Sequence, residues 1–140
     1  MERMNLDLQA LREYFVSTGF AAALPGTEIL RAQGGEAILR LPVSENVRNP
    51  LGTLHGGAIA TLVDNAGTLA IISADEQGRG GVTSDLHVSY FRAGRGADVV
   101  LARASVLKCG HSMAFIVCDI VRESDGVLLA QGRMSKHLGH

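Results

Sequence analysis

Residues 55–74, HGGAIATLVDNAGTLAIISA, make the longest apolar run in the chain, with Asp64 and Asn65 as its only strongly polar members after the opening histidine. A helix that is apolar on every side is stable when it is buried on every side. The run is also long enough for a membrane span. Against that reading, Asp64 and Asn65 fall in mid-span and no charge asymmetry flanks the run. The expectation is therefore a helix wrapped by the rest of the protein, with no membrane partner.

The flanking sequence supplies the wrapping. VTSDLHVSYF alternates, so that Val82, Leu86, Val88 and Tyr90 face one way and Thr83, Asp85, His87 and Ser89 the other. ADVVLARASVLK, SMAFIVCDIVR and VLLAQGRMSKHL follow as strand candidates, separated by Gly94 with Gly96, by Gly110, and by Ser124-Asp125-Gly126. Upstream, TEILRAQGGEAILRLP reads as a hairpin about Gly34-Gly35 that ends at Pro42. SENVRNPLGT reads as a loop punctuated by Pro50 and Gly52. Leu6, Leu8, Leu11, Phe15 and Val16 recur at helical spacing, which predicts a short amphipathic helix over 5–18 with Gly19 as its stop. The short connections favour antiparallel pairing. The predicted architecture is one α+β domain over 1–140, an antiparallel sheet of about six strands curled around one long buried helix.

Composition narrows the function. A net charge of −1 argues against nucleic-acid binding. Cys109 and Cys118 match neither a zinc motif nor a redox pair, so reduced thiols in a cytoplasmic protein are expected, with no metal and no cofactor. The first residues carry Glu2, Asp7 and Glu13 and no apolar leader core, which predicts a mature chain that starts here.

Asp64 is the chemical outlier. An ionised carboxylate in an apolar helix costs several kcal/mol unless it is paired or functional. It is either satisfied by a partner or poised for catalysis. Thr68, four residues on, is placed to bond that carboxylate. His55-Gly56-Gly57 opens the same helix, where free N–H groups, a positive dipole end and bare glycine backbone suit an oxyanion. The same triplet also suits a plain tight turn. Asn49 either bonds a substrate or water or stabilises the turn before Pro50. Thr83 either orients a water or is an ordinary strand threonine.

Taken together, NPLGTLHGGAIATLVDNAGTLAI resembles the signature of the Asp-type hotdog thioesterases, the group of the phenylacetate-pathway enzymes and animal acyl-CoA thioesterase 13. That pattern is an Asn, a short gap, HGG, then Asp eight residues after the first Gly; here it falls on Asn49, His55, Gly56 and Asp64. GVTSDLHVSYFRAG, VLKCGHSMAFIVCDI and GVLLAQGRMSKHLG resemble the strands that follow, so the similarity runs over about residues 40–140. The resemblance implies the hotdog fold and hydrolysis of an acyl-coenzyme A, with fatty acyl and aryl-acetyl groups both open. It implies Asp64 as general base or nucleophile and Gly56 N–H on the thioester carbonyl. Asn49 then holds the carbonyl or the water, Thr83 orients the water, and His55 supports the loop and is placed to touch the thioester. Gly57 and Thr68 line the substrate site. The family's other branch carries Glu in place of Asp64.

Gly56 and Asp64 lie about 12 Å apart along one helix at 1.5 Å per residue. One helix cannot bring both within about 3 Å of one carbonyl. Two antiparallel copies can, so a homodimer is the minimum unit, with a homotetramer expected. Each site then joins Asn49 and Gly56 of one copy to Asp64 and Thr83 of the other. Coenzyme A phosphates need local cations, for which Arg92, Lys108 and His137 are the candidates. Two rival readings share the fold. A dehydratase would pair the carboxylate with a His five residues on, where this chain has Leu69, and a non-catalytic acyl-CoA sensor would need no Asp64.

Overall fold

A computed structural model describes residues 8–139. Helix α1 spans Leu8–Val16 and α2 spans Gly56–Ala74. The strands are β1 (Glu28–Gln33), β2 (Glu36–Pro42), β3 (Val82–Tyr90), β4 (Val99–Cys109), β5 (Met113–Arg122) and β6 (Leu128–His137). They form one sheet in the order β1-β2-β4-β5-β6-β3, antiparallel throughout. The expected wrapped helix and six strands are all present.

Eleven of the 19 residues of α2 are buried. Leu62, Val63, Leu69 and Ile71 meet Leu39, Leu41, Ile116, Ile120 and Met134 from the sheet, all within 2% of complete burial. Each such side chain contributes about 1.5–3 kcal/mol, and the sheet meets the apolar face that the composition of the helix requires to be covered. Two glycines set how closely the layers approach. A Cβ on Gly67 would lie 2.5 Å from Met134 Cε, and one on Gly132 would lie 2.5 Å from Val63 Cγ1.

The β1–β2 turn is as expected. Gly34 and Gly35 have φ of 63° and 85°, the left-handed pair that a tight hairpin needs. Gly35 N–H donates to Ser73 Oγ at 2.9 Å, which pins the hairpin to the end of α2.

Three expectations are corrected. The first helix ends at Val16 rather than 18, and its expected residues 5–7 lie outside those described. Gly19, with φ 59°, opens a 3-10 turn over Gly19–Ala23 instead of simply stopping a helix. The third correction concerns β3. Its register against β6 shifts between Thr83 and Asp85, so Ser84 is an extra residue. One extra residue reverses the alternation. Thr83 therefore shares the helix-facing side with Leu86, Val88 and Tyr90, while Val82 turns outward and is 69% exposed.

Candidate functional site

The first end of α2 is built by its preceding loop. Asn49 Oδ1 accepts from Leu51 N at 3.0 Å and Thr53 N at 3.1 Å, and its Nδ2 donates to Thr53 Oγ1 at 2.7 Å. Both ends of the amide are thus used in holding the loop, which is the turn role considered for Asn49, and one amide hydrogen is left over. His55 caps the helix, its Nδ1 accepting from Gly57 N at 2.8 Å. That contact consumes the Gly57 N–H. Among the described residues no acceptor meets the Gly56 N–H, so this is the donor left at the positive end of the helix. Tyr90 Oη donates to Gly56 O at 2.8 Å and ties the same turn to the end of β3.

Halfway along α2, Asp64 is half-buried. Thr83 Oγ1 donates to its Oδ1 at 2.8 Å. The bulge at Ser84 makes this contact possible by turning Thr83 toward the helix. Among the described residues no donor meets Oδ2, which leaves one carboxylate oxygen open. The expected bond from Thr68 to the carboxylate is not made. Thr68 Oγ1 donates to the main-chain oxygen of Asp64 at 2.7 Å, the back-bonding geometry that a mid-helix threonine favours.

Lys136 is the residue that sequence reasoning missed. It lies on the inner face of β6, 5% exposed, and donates to Thr68 Oγ1 at 2.6 Å. Burial pushes its amine below the usual lysine range, and the charge of Asp64 pulls the other way. The signal was available in the alternation of β6, where Ala130, Gly132, Met134 and Lys136 fall in one phase. Tyr90 was read only as a strand residue, and its hydroxyl contact had no signal in the sequence.

The three candidate phosphate cations are exposed. The structure does not bring them together within one chain. Arg92 follows β3 beside the first end of α2, its N–H on Leu129 O. Lys108 and His137 lie at the opposite end of the sheet, where Cys109 pairs with Ala114 and His137 with Met113. Among the described residues no three His, Cys, Asp or Glu side chains cluster as a metal site would require. Both thiols are free, and burial pushes that of Cys118 up to about 12, which makes it a poor nucleophile.

A cavity of about 250 Å3 adjoins the first turn of α2. Phe20, Leu24, Val47, Gly57, Ala58 and Thr61 are among the residues that line it. An apolar pocket, a free N–H and an open carboxylate are the elements that thioester hydrolysis needs.

The chain resembles known proteins over most of its length. A family model of the thioesterase superfamily matches residues 51–129. Human acyl-coenzyme A thioesterase 13 is 37% identical over 136 residues, covering 94% of this chain and 96% of its own. The mouse protein of that name is 35% identical over 141 residues and covers all of both chains. The crystal structure of zebra fish thioesterase superfamily member 2 superposes with a TM-score of 0.90 at 39% identity, over 99% of this chain and 100% of that one. The likeness thus extends through the first 40 residues, beyond the stretch that the motif marks. With more than half its length matched by the family model and near-complete alignment to these relatives, the chain belongs to the thioesterase superfamily.

Proposed function

We propose that the protein hydrolyses acyl-coenzyme A to the free acid and coenzyme A, at two identical sites that each draw on two copies of the chain. The observation that carries this is the Asp64 carboxylate, held by Thr83 through one oxygen and open at the other, on a helix whose Gly56 N–H is unfilled. Asp64 takes a proton from water, or attacks directly as a nucleophile, and Thr83 fixes the carboxylate that does so. The carbonyl oxygen gains charge and is met by Gly56 N–H at the positive end of α2. In the general-base route collapse breaks the C–S bond and the thiolate recovers the proton that Asp64 took. In the nucleophilic route the thiolate leaves an acyl-Asp64 anhydride, which water cleaves to the acid while supplying the thiol's proton. Asn49 and His55 act through the loop and the helix cap that present Gly56. The apolar cavity beside Gly57 suits an acyl chain, fatty or aryl-acetyl.

The two-copy arrangement answers a problem in the sheet. β3 is an edge strand nine residues long, with Val82 69%, Tyr90 52% and Leu86 37% exposed. Long apolar edges invite pairing with another strand. A second β3 on a two-fold axis covers that edge and runs the two α2 helices in opposite directions. Each Gly56 then approaches the Asp64 of the other copy, and each Arg92 approaches the other copy's Lys108 and His137. Those cations suit the phosphates of coenzyme A. A homodimer is the unit this requires, and a homotetramer builds from two of them. The free thiols fit the reducing cytoplasm.

The test is a panel of fatty acyl- and aryl-acetyl-coenzyme A substrates, followed by thiol release and by identification of the acid. Thiol and free acid in equal amounts are expected. Binding without thiol release, or conversion of the acyl chain with the thioester intact, would overturn the reading.

A further inference from the structure

Lys136 is an expensive residue to bury. An ammonium removed from water costs several kcal/mol, which a single neutral hydroxyl does not repay. Yet among the described residues its one hydrogen bond is to Thr68 Oγ1 at 2.6 Å, and none of their carboxylates lies within ion-pair range. The surfaces packed against β6 bring three titratable groups to its inner side: Asp64 of α2, Tyr90 of β3 and Cys118 of β5. Of these only Asp64 bears on the charge of Lys136. The contacts converge on that residue. Thr68, holding the ammonium, donates to the Asp64 main-chain oxygen. Thr83, which pairs with Lys136 across the strands, donates to the Asp64 carboxylate.

We infer that Lys136 is a positioning residue and the internal counter-charge of the thioesterase site, anchoring the Asp64 turn through Thr68 and balancing the single negative charge that moves during hydrolysis. This rests on the function proposed above. Before reaction the charge sits on Asp64. As water adds to the carbonyl carbon, its proton passes to Asp64 and the carbonyl electron pair becomes the oxyanion. When the C–S bond breaks the charge leaves on sulfur, and the thiolate takes the proton back from Asp64. One negative charge is present at every stage, and one buried positive charge faces it. With no carboxylate in ion-pair range, the buried ammonium is a cost to the fold, so a stabilising role does not account for it.

The experiment compares the full-length protein with Lys136→Met and Lys136→Gln in acyl-coenzyme A hydrolysis, thermal unfolding and rate against pH. Met keeps the length and apolar stem; Gln also keeps a donor for Thr68. Both variants are expected to fold with an unchanged or raised Tm. Both should lose at least about tenfold in kcat, the scale of a lost electrostatic contribution, with KM largely retained. The parent's kcat should fall on an alkaline limb below the usual lysine value of 10.5, since burial lowers the amine, and both variants should lack that limb. Near-parental kcat in either folded variant would overturn the inference. So would failure to fold, or a loss of kcat matched by a loss of Tm, because the role would then be structural. Asp64→Asn in the same assay separates the two claims. An active Asp64→Asn removes the proposed function itself, whereas an inactive Asp64→Asn beside a fully active Lys136→Met removes only the role of Lys136.

Discussion

Thr83→Val isolates one contact. Valine matches threonine in shape and favours strands, so β3 should form as before. Thr83 is exposed on an edge strand, so little packing changes. What is lost is the 2.8 Å bond to Asp64 Oδ1, along with a weak 3.6 Å contact to Met134 Sδ. A hydrogen bond to a charged group is worth about 1.5–3 kcal/mol. If that bond holds the carboxylate in its attacking position, its loss appears in the barrier, at about tenfold per 1.4 kcal/mol. The expected fall in kcat is therefore roughly 10- to 100-fold, with Tm lowered by about a few degrees at most and the fold retained. Thr83→Ser keeps the hydroxyl and should stay close to the parent. Steady-state thiol release with matched melting curves measures both. Parental kcat in Thr83→Val would refute the argument that this bond aims Asp64, and equal losses in Val and Ser would shift the cause to strand packing.

Asn49→Ala breaks three contacts in the loop before α2 and should lower activity. Mixed with Asp64→Asn it should restore one intact site of two, whereas inactive mixed dimers, verified by mass, would rule out a two-chain site. Arg92→Ala with Lys108→Ala should raise KM for acyl-coenzyme A with kcat largely intact and leave an acyl-pantetheine almost unaffected; equal losses on both substrates would discard the phosphate role. Asp75 is 5% exposed in its side chain and clamped by Arg79, whose guanidinium holds its carboxyl below the usual 3.8. A depressed carboxylate contributes stability above its unfolded value, and that stability is lost as pH falls through the folded one. Asp75→Asn should therefore be less stable than the parent at pH 7 in chemical denaturation, with the gap closing below pH 3.8; a gap independent of pH would rule out the ion pair as its cause.

Much of this fold was open to sequence reading because its dominant feature is local. The apolar run of α2 demands wrapping, and six alternating or apolar segments with glycine turns supply it. Asp64 stood out for the same reason, as one carboxylate among aliphatic residues. The errors arose where pairing decides. Alternation put Thr83 on the outer face because nothing in VTSDLHVSYF marks Ser84 as an extra residue, a fact set only by the register against β6. Thr68 was directed to the right residue but the wrong oxygen, since the nearer acceptor is the carbonyl one turn back. Lys136 sat in the apolar phase of β6, but the partner that gives it meaning is 68 residues away in sequence.

The most direct measurement is kcat for Asp64→Asn with its mass in solution and circular dichroism matched to the parent. The amide keeps the shape and still accepts from Thr83, but it cannot take a proton from water or form an acyl anhydride. The expected loss is about 10²–10⁴-fold, the usual contribution of a positioned base, in a protein that remains folded and keeps the parent's mass in solution. A folded Asp64→Asn protein that turns over acyl-coenzyme A at the parental rate would contradict the assignment of Asp64 and the site built around it.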